Sequence, residues 1–409
     1  MIRYGLGDSS VVLSLTVRDG CAVLGTTLKN FLVLPGWIFP LASGKVDGAD
    51  RFYKQGLGFS GPSAFMEIPG PEELRWDSRS VSRDVWSYDS YLVTGFMSRA
   101  GRTLVVSARD SRRYVQRSCV YNRMQRFGLT DRKVSLYDVF FEAGFGTERT
   151  RPGRGDVVLP DFYFSAGDRA DEVFRRTARE IAEANGVDSV KPPRYHFCSW
   201  YEYEKNYDIP KLDDLLDGLK GIKPAIPLQT IQIDDYCVYG DWLLPNERWP
   251  GTIKEAFGKI RRNGYAAGIW IGPFMVSSRS AVFREHPDWL LRNPEGGLIV
   301  EWKKPEEDIH VLDTSHPAAF EWLRGVFRTL REWGASYFKT DFMDWGLKDS
   351  TTVTRHRPGK TSAQYFDEVL KMIREEIGSE SFWLGCIAPY QSMIGYADAV
   401  RITNDILPE

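Results

Sequence analysis

Near residue 168 the sequence changes period, and that change constrains the fold more than any other feature. Upstream, SVVLSLTV (10–17), TLVVSAR (103–109), VSLYDVFFEAG (134–144) and VVLPDFYFSAG (157–167) are rich in β-branched and aromatic residues, with Gly, Asp and Arg clusters between them. Such segments suit a pleated, half-buried surface and predict an antiparallel β-sandwich over 1–167. GLGFSGPSAF (56–65) reads as a loop, and LRWDSRSVSRDVW (74–86) carries Trp76 and Trp86, either sandwich aromatics or a loop tryptophan reaching a neighbouring site. DRADEVFRRTAREIAEANG (168–186) then puts Val173, Phe174, Ala178, Ile181 and Ala182 on one helical face and ends on Gly186, a residue suited to a left-handed helix end. KPPRY (191–195) follows as a stiff linker, so 168–193 is read as a connecting helix and linker.

From residue 195 strand and helix patterns alternate. Strands are predicted at YHFCSW (195–200), LQTIQI (228–233), AAGIWI (266–271), SYFK (336–339), FWLGC (382–386) and AVRIT (399–403), with helices near 211–220, 252–263, 317–333 and 361–377. In the clearest helix Ser315 is the expected cap, Pro317 suits the first turn, Phe320, Leu323, Phe327 and Leu330 form a stripe, and Gly334 closes it. This alternation implies a parallel sheet. Polar residues gather just past the strands: Trp200 and Glu202, Asp234 and Asp235, Lys339 and Asp341, Arg401 and Asp405. A (β/α)8 barrel builds its site at those strand ends, so 194–409 is read as such a barrel, truncated after about six strands with its C-terminal part missing; a doubly wound sheet is the alternative.

Composition narrows the chemistry. The 53 basic and 55 acidic residues nearly balance, so nucleic acid and anionic membrane surfaces are not expected partners. The five cysteines, Cys21, Cys119, Cys198, Cys237 and Cys386, are scattered without metal-ligand spacing, and no run is long enough to span a membrane, which together suggest a cytoplasmic protein. The five histidines lack zinc spacing, and phosphate-loop, dinucleotide and serine-elbow signatures are missing, so neither metal nor organic cofactor is expected. The chain is 13% aromatic, which suits a large core or the flat faces of sugar rings.

Carboxylates remain. In SYFKTDFMDWG (336–346), Lys339 and Asp341 sit two apart and leave one face of an extended strand. A carboxylate beside an ammonium stays ionised, as a glycosidase nucleophile must be, although Asp341 could also cap the next helix, a role that suits Asp344 better. Asp234 and Asp235 are adjacent at a strand end, which fits the binding of several hydroxyls or a plain turn. Arg401 and Asp405 bracket the exit of the sixth strand and either face Asp341 across a site or only pair with each other. Trp200 and Trp270 lie where an indole could stack on a sugar, with core packing the alternative.

These pieces resemble glycoside hydrolase family 36, the α-galactosidase and raffinose-synthase family. The resemblance rests on SWYEYE (199–204), IQIDDYCVYGDW (231–242), GIWIGPF (268–274), YFKTDFMDW (337–345) and ADAVRITNDI (397–406). It implies Asp341 as nucleophile and Asp405 as general acid/base. It further implies that Lys339, Asp234, Asp235 and Arg401 hold hydroxyls, with Trp200 and Trp270 as site walls and Cys386 lining the pocket. The implied reaction is retaining, exo-acting hydrolysis of terminal α-galactose from melibiose or raffinose-type oligosaccharides. The alternatives are a galactosyl transferase, a family 31 α-glucosidase or α-xylosidase, and an inactive galactose-binding remnant. Tyr236 stands where that family usually has glycine, and the oligomeric state stays open, a homo-oligomer included.

Overall fold

The computed structural model describes residues 1–18, 20–58, 61, 63–68, 86–122, 139–153, 155–222 and 225–405. Trp76 lies outside them, as do 134–138 of the predicted strand 134–144. The chain forms two compact units. One holds Met1–Asp188 with Gly359–Gln364 and Tyr390–Gly395; the other holds the remainder.

The first unit is an antiparallel sandwich. Among the described residues, one eight-stranded sheet runs in the spatial order 2–6, 9–18, 21–29, 157–167, 103–108, 93–97, 51–54, 64–67. A four-stranded sheet runs 37–46, 139–146, 115–122, 86–90. Alternation explains the layering: Leu24, Thr26 and Leu28 of one strand are buried while Gly25, Thr27 and Lys29 beside them are more open. Between the sheets Phe96 meets Phe141 edge to face at 5.2 Å, and Phe145 stacks on Phe162 at 4.7 Å. The predicted helix is Ala170–Ala184, with Val173, Thr177 and Ile181 buried. Strands such as Trp37–Val46 and Val115–Asn122 carry polar residues and glycine in their patterns and escaped the sequence reading.

The second unit is a (β/α) half-barrel. Among the described residues six parallel strands, His196–Cys198, Thr230–Ile233, Ala266–Ile271, Ala335–Thr340, Phe382–Gly385 and Ala399–Val400, pair in sequence order. Helices Ile209–Ile222, Ile253–Arg262, Pro317–Trp333 and Ser362–Ile377 make the crossovers. Helix Pro317–Trp333 buries Leu323, Val326, Phe327 and Leu330, and each such side chain contributes roughly 1.5–3 kcal/mol. Gly334, at φ +110, ends it in the left-handed region that a side chain would strain. Its cap is His316, not the expected Ser315: the imidazole Nδ1 accepts from the Ala318 N–H at 3.2 Å. Between the third and fourth strands lies an unforeseen antiparallel tongue of Met275–Ser277, Asp308–Val311 and Val300–Lys303.

Candidate active site

The fourth strand lies between the third and fifth, so its last residues emerge at the centre of the sheet's C-terminal edge. Lys339 and Asp341 leave this strand together and are 3% and 9% exposed in their side chains. The Lys339 ammonium donates to Asp234 Oδ2 at 3.0 Å and stands 4.0 Å from Asp341 Oδ2. Burial alone would lower its pKa; Asp234 and Asp341, with the nearby thiols, outweigh that and hold it well above the usual lysine range. The ammonium is therefore a fixed charge between two carboxylates.

Each carboxylate is held by further donors. Asp341 Oδ2 accepts from the Trp270 indole at 3.0 Å, and Asp341 Oδ1 accepts from the Phe342 N–H at 2.9 Å. Phe342 takes φ +52 to present that N–H, a costly conformation for a bulky residue. Asp234 Oδ2 accepts from Gln232 Nε2 at 2.8 Å, and its backbone N–H donates to Ser199 Oγ at 2.9 Å. Two thiols flank the line. Cys198 lies 3.6 Å from Asp234 and is pushed up to about 12 by burial and by Asp234; Cys386, against Asp341, is raised by burial and by that carboxylate. Both are poor nucleophiles in this setting.

Asp235 points away from this line. At φ +43 it turns toward a cavity of about 410 Å³ lined by Tyr239, Arg248, Lys304 and Glu307 among others. Burial and the neighbouring Asp234 raise its pKa, while Arg248, the Tyr239 hydroxyl and Lys304 oppose the rise. The cavity is of ordinary ligand size.

The sixth strand stops at Val400, short of the expected 399–403, so Arg401 and Asp405 both lie past its end. Arg401 donates to the Tyr201 hydroxyl and pairs with Asp405; its pKa rises because these partners, with Cys386 and Asp341, outweigh its burial. Asp405 itself is exposed. The structure thus gathers Asp234, Lys339, Asp341, Trp270 and Cys386 directly and links Asp405 to them through Arg401.

Two sequence expectations are corrected. Asp344 is not a cap: the 3-10 turn Met343–Leu347 is led by Phe342, and Asp344 sits inside its first turn. Open to solvent yet ringed by protein, its carboxyl is raised to about 6 by desolvation, with Glu301 and Asp341 adding and Lys348 opposing. Trp200 does not end a strand. It begins the helical turn Trp200–Tyr203, and a turn of about 100° per residue brings Tyr201, not Trp200, over Lys339, 5.7 Å from ammonium to ring centre. Tyr201 was visible in SWYEYE; the missing signal was where the strand stops.

A buried ammonium thus stands between two carboxylates at the C-terminal edge of a (β/α) sheet, the edge at which barrels of this kind build their sites. Residues 229–375 match the Melibiase family model. An α-galactosidase of Escherichia coli is 25% identical over 154 residues, 36% of this chain and 20% of that protein. The α-xylosidase XylQ of Lactiplantibacillus pentosus is 27% identical over 161 residues, 37% of this chain and 20% of that protein. The matches thus span about one fifth of these relatives. Among solved structures, the α-galactosidase TtGalA of Thermus thermophilus in complex with stachyose superposes with TM-score 0.65 at 21% identity, over 99% of this chain and 78% of that one. The GH36 α-galactosidase AgaA of Geobacillus stearothermophilus gives 0.64 at 14% identity, over 97% and 56%. The fold is theirs, and the resemblance to family 36 that the motifs carried holds.

Proposed function

We propose that this chain forms the sandwich and barrel of a retaining exo-α-galactosidase. Asp341 attacks the anomeric carbon of a terminal α-galactosyl unit as the bond to the glycosidic oxygen breaks, and Asp405 gives that oxygen its proton. Water, deprotonated by Asp405, then attacks the same carbon and releases Asp341, restoring the α configuration. Lys339, Asp234, Asp235 and Arg401 bind hydroxyls, Trp270 and Tyr201 wall the ring, and Cys386 lines the pocket. The observation that carries this reading is the line from Asp234 through Lys339 to Asp341, with the Trp270 indole and Phe342 N–H fixing the attacking carboxylate.

Two carboxyls in one retaining site stand about 5–5.5 Å apart, the separation that this reading requires of Asp341 and Asp405. Two adjacent aspartates, one on each side of the strand-end turn, suit the axial O4 of galactose, because an epimer would leave buried polar groups unmet. The test is Asp341→Gly with an aryl α-galactoside. Turnover should fall by at least ~10³-fold, and added azide should yield the β-galactosyl azide. An unchanged rate, or no azide product, removes Asp341 from the role. With an α-xylosidase among the relatives, an aryl α-xyloside and α-glucoside are the controls, and turnover of either above the galactoside overturns the substrate assignment.

A further inference from the structure

The antiparallel tongue carries side chains that the proposed chemistry does not use, and two of them close on the turn that follows Asp341. Phe342 leads the 3-10 turn Met343–Leu347, and Lys348 ends it. Trp302 meets the first of these, its ring centre 5.8 Å from that of Phe342, and Glu301 meets the second, 2.6 Å from the Lys348 ammonium. Adjacent residues of a regular strand leave opposite faces and would not both reach one turn. Here the pairing of Val300–Lys303 with Asp308–Val311 slips by one between Val300 and Trp302, so Glu301 is the extra residue of a β-bulge. A bulge re-aims side chains in this way. The partner strand is rooted in the core, with Ile309 and Val311 fully buried, and the Lys304 ammonium stands 4.0 Å from the Trp302 ring centre.

What the turn has to hold is a backbone angle. The Phe342 N–H reaches Asp341 Oδ1 at 2.9 Å with the residue at φ +52, a region that a bulky side chain leaves when nothing restrains it. Within the turn the Phe342 ring meets Trp345 at 5.1 Å, and at the exit of the fifth strand Ile387 O accepts from the Asp344 N–H at 3.0 Å. The tongue adds a hold from a segment distant in sequence. Trp302 is 40% exposed, so it does little for the core of the tongue, and its aromatic neighbour is Phe342. Without that grip Phe342 relaxes toward negative φ and its N–H swings off Asp341. The carboxylate then keeps only the Trp270 indole of its two fixed donors.

We propose that Trp302 is a positioning residue for the attack on the sugar: with Glu301 it clamps the turn at both ends and so keeps the Phe342 N–H on Asp341. This role rests on the reading of Asp341 as the nucleophile of an α-galactosidase, and Trp302 itself touches no reacting atom. Hydrolysis of an aryl α-galactoside by the full chain and by Trp302→Ala, Trp302→Phe, Phe342→Gly and the double variant Trp302→Ala/Phe342→Gly tests it, with inhibition by galactose measured alongside. Trp302 lies on an exposed strand, so its truncation leaves the core untouched. Trp302→Ala should lower kcat/KM about tenfold or more while galactose inhibition stays within about twofold, because attack is impaired and sugar binding is kept. Trp302→Phe, which keeps a ring against Phe342, should recover most of that loss. Glycine holds a positive φ without strain, so in the Phe342→Gly background nothing is left to clamp, and removing Trp302 should cost less than about twofold more. An equal loss in both backgrounds, or an unchanged kcat/KM in Trp302→Ala, overturns the clamp while the α-galactosidase reading stands. Weaker galactose inhibition in Trp302→Ala would make the indole a sugar contact and overturns the clamp as well. A parent chain that turns over no α-galactoside sinks the α-galactosidase reading and the clamp with it.

Discussion

Each unit buries a lysine almost completely, Lys54 in the sandwich at 2% exposure and Lys339 in the barrel at 3%, and the two are shifted in opposite directions. For Lys54 the loss of water outweighs Asp89 and Cys119, and its pKa falls to about 8. For Lys339 the same loss is overcome by Asp234, Cys198 and Asp341, and the pKa rises well above normal. Burial does not decide the state of an interior lysine; the carboxylates brought to it do. A fold that sends strand ends to one edge can converge two carboxylates on one ammonium.

The largest break of that comparison is Lys339→Met. It leaves Asp234 and Asp341 buried without their cation and should cost about 3–5 kcal/mol of stability, measured by urea unfolding. Lys54→Met should cost less than half as much, since the residue removed was charged against its surroundings. An equal loss in both variants would mean that burial alone governs the pair.

Alkaline pH separates the two lysines further. The pKa of Lys54 is lower folded than unfolded, so the folded state binds its proton less tightly and the group opposes folding below pH 8. Raising the pH from 8 to about 10.5 should relieve up to about 3 kcal/mol. Lys339, raised by folding, contributes fully below the ordinary lysine pKa and loses its contribution only as pH climbs through the higher folded value. Unfolding of the parent and Lys54→Met at pH 7.5 and 9.5 should show the parent gaining on the variant, so that the cost of the substitution widens as the pH rises. A constant gap contradicts the lowered Lys54 value.

Asp344 offers the smallest effect. Its carboxyl titrates near 6 folded and near 4 unfolded, so its favourable contribution is complete below the lower value and lost as pH rises through 6. Asp344→Asn should therefore raise stability at pH 7, by about 1 kcal/mol once solvent screening is counted, and the gain should vanish below pH 4. Melting temperatures of parent and variant at pH 7 and pH 4 check this. A gain that persists in acid would mean packing, not charge.

Much of this site was legible because its residues lie in regular strands. Lys339 and Asp341 follow the two-residue alternation, Trp270 lies within a strand, and Asp234 stands at a strand's end, so period and position predict their neighbourhood. Where the backbone leaves the strand, the two-residue period no longer says which way a side chain turns. Tyr201 sits in a four-residue helical turn, Asp235 and Phe342 adopt left-handed angles, and Asp344 lies inside a 3-10 turn. The tongue was missed for another reason: Val300–Lys303 is exposed along its length, so VEWK has no buried face to print a periodic pattern. Its position is set by partners distant in sequence, Phe342 and Lys348.

The central claim is that Asp341, fixed beside Lys339, forms the covalent bond to the sugar. Incubation with 5-fluoro-α-galactosyl fluoride, which slows release of the glycosyl-enzyme, followed by peptide mass spectrometry, tests it directly. The account predicts one added fluorogalactosyl group on the peptide bearing Asp341, lost in Asp341→Gly. A label on any other carboxylate, or turnover of the reagent through an unlabelled enzyme, would contradict it.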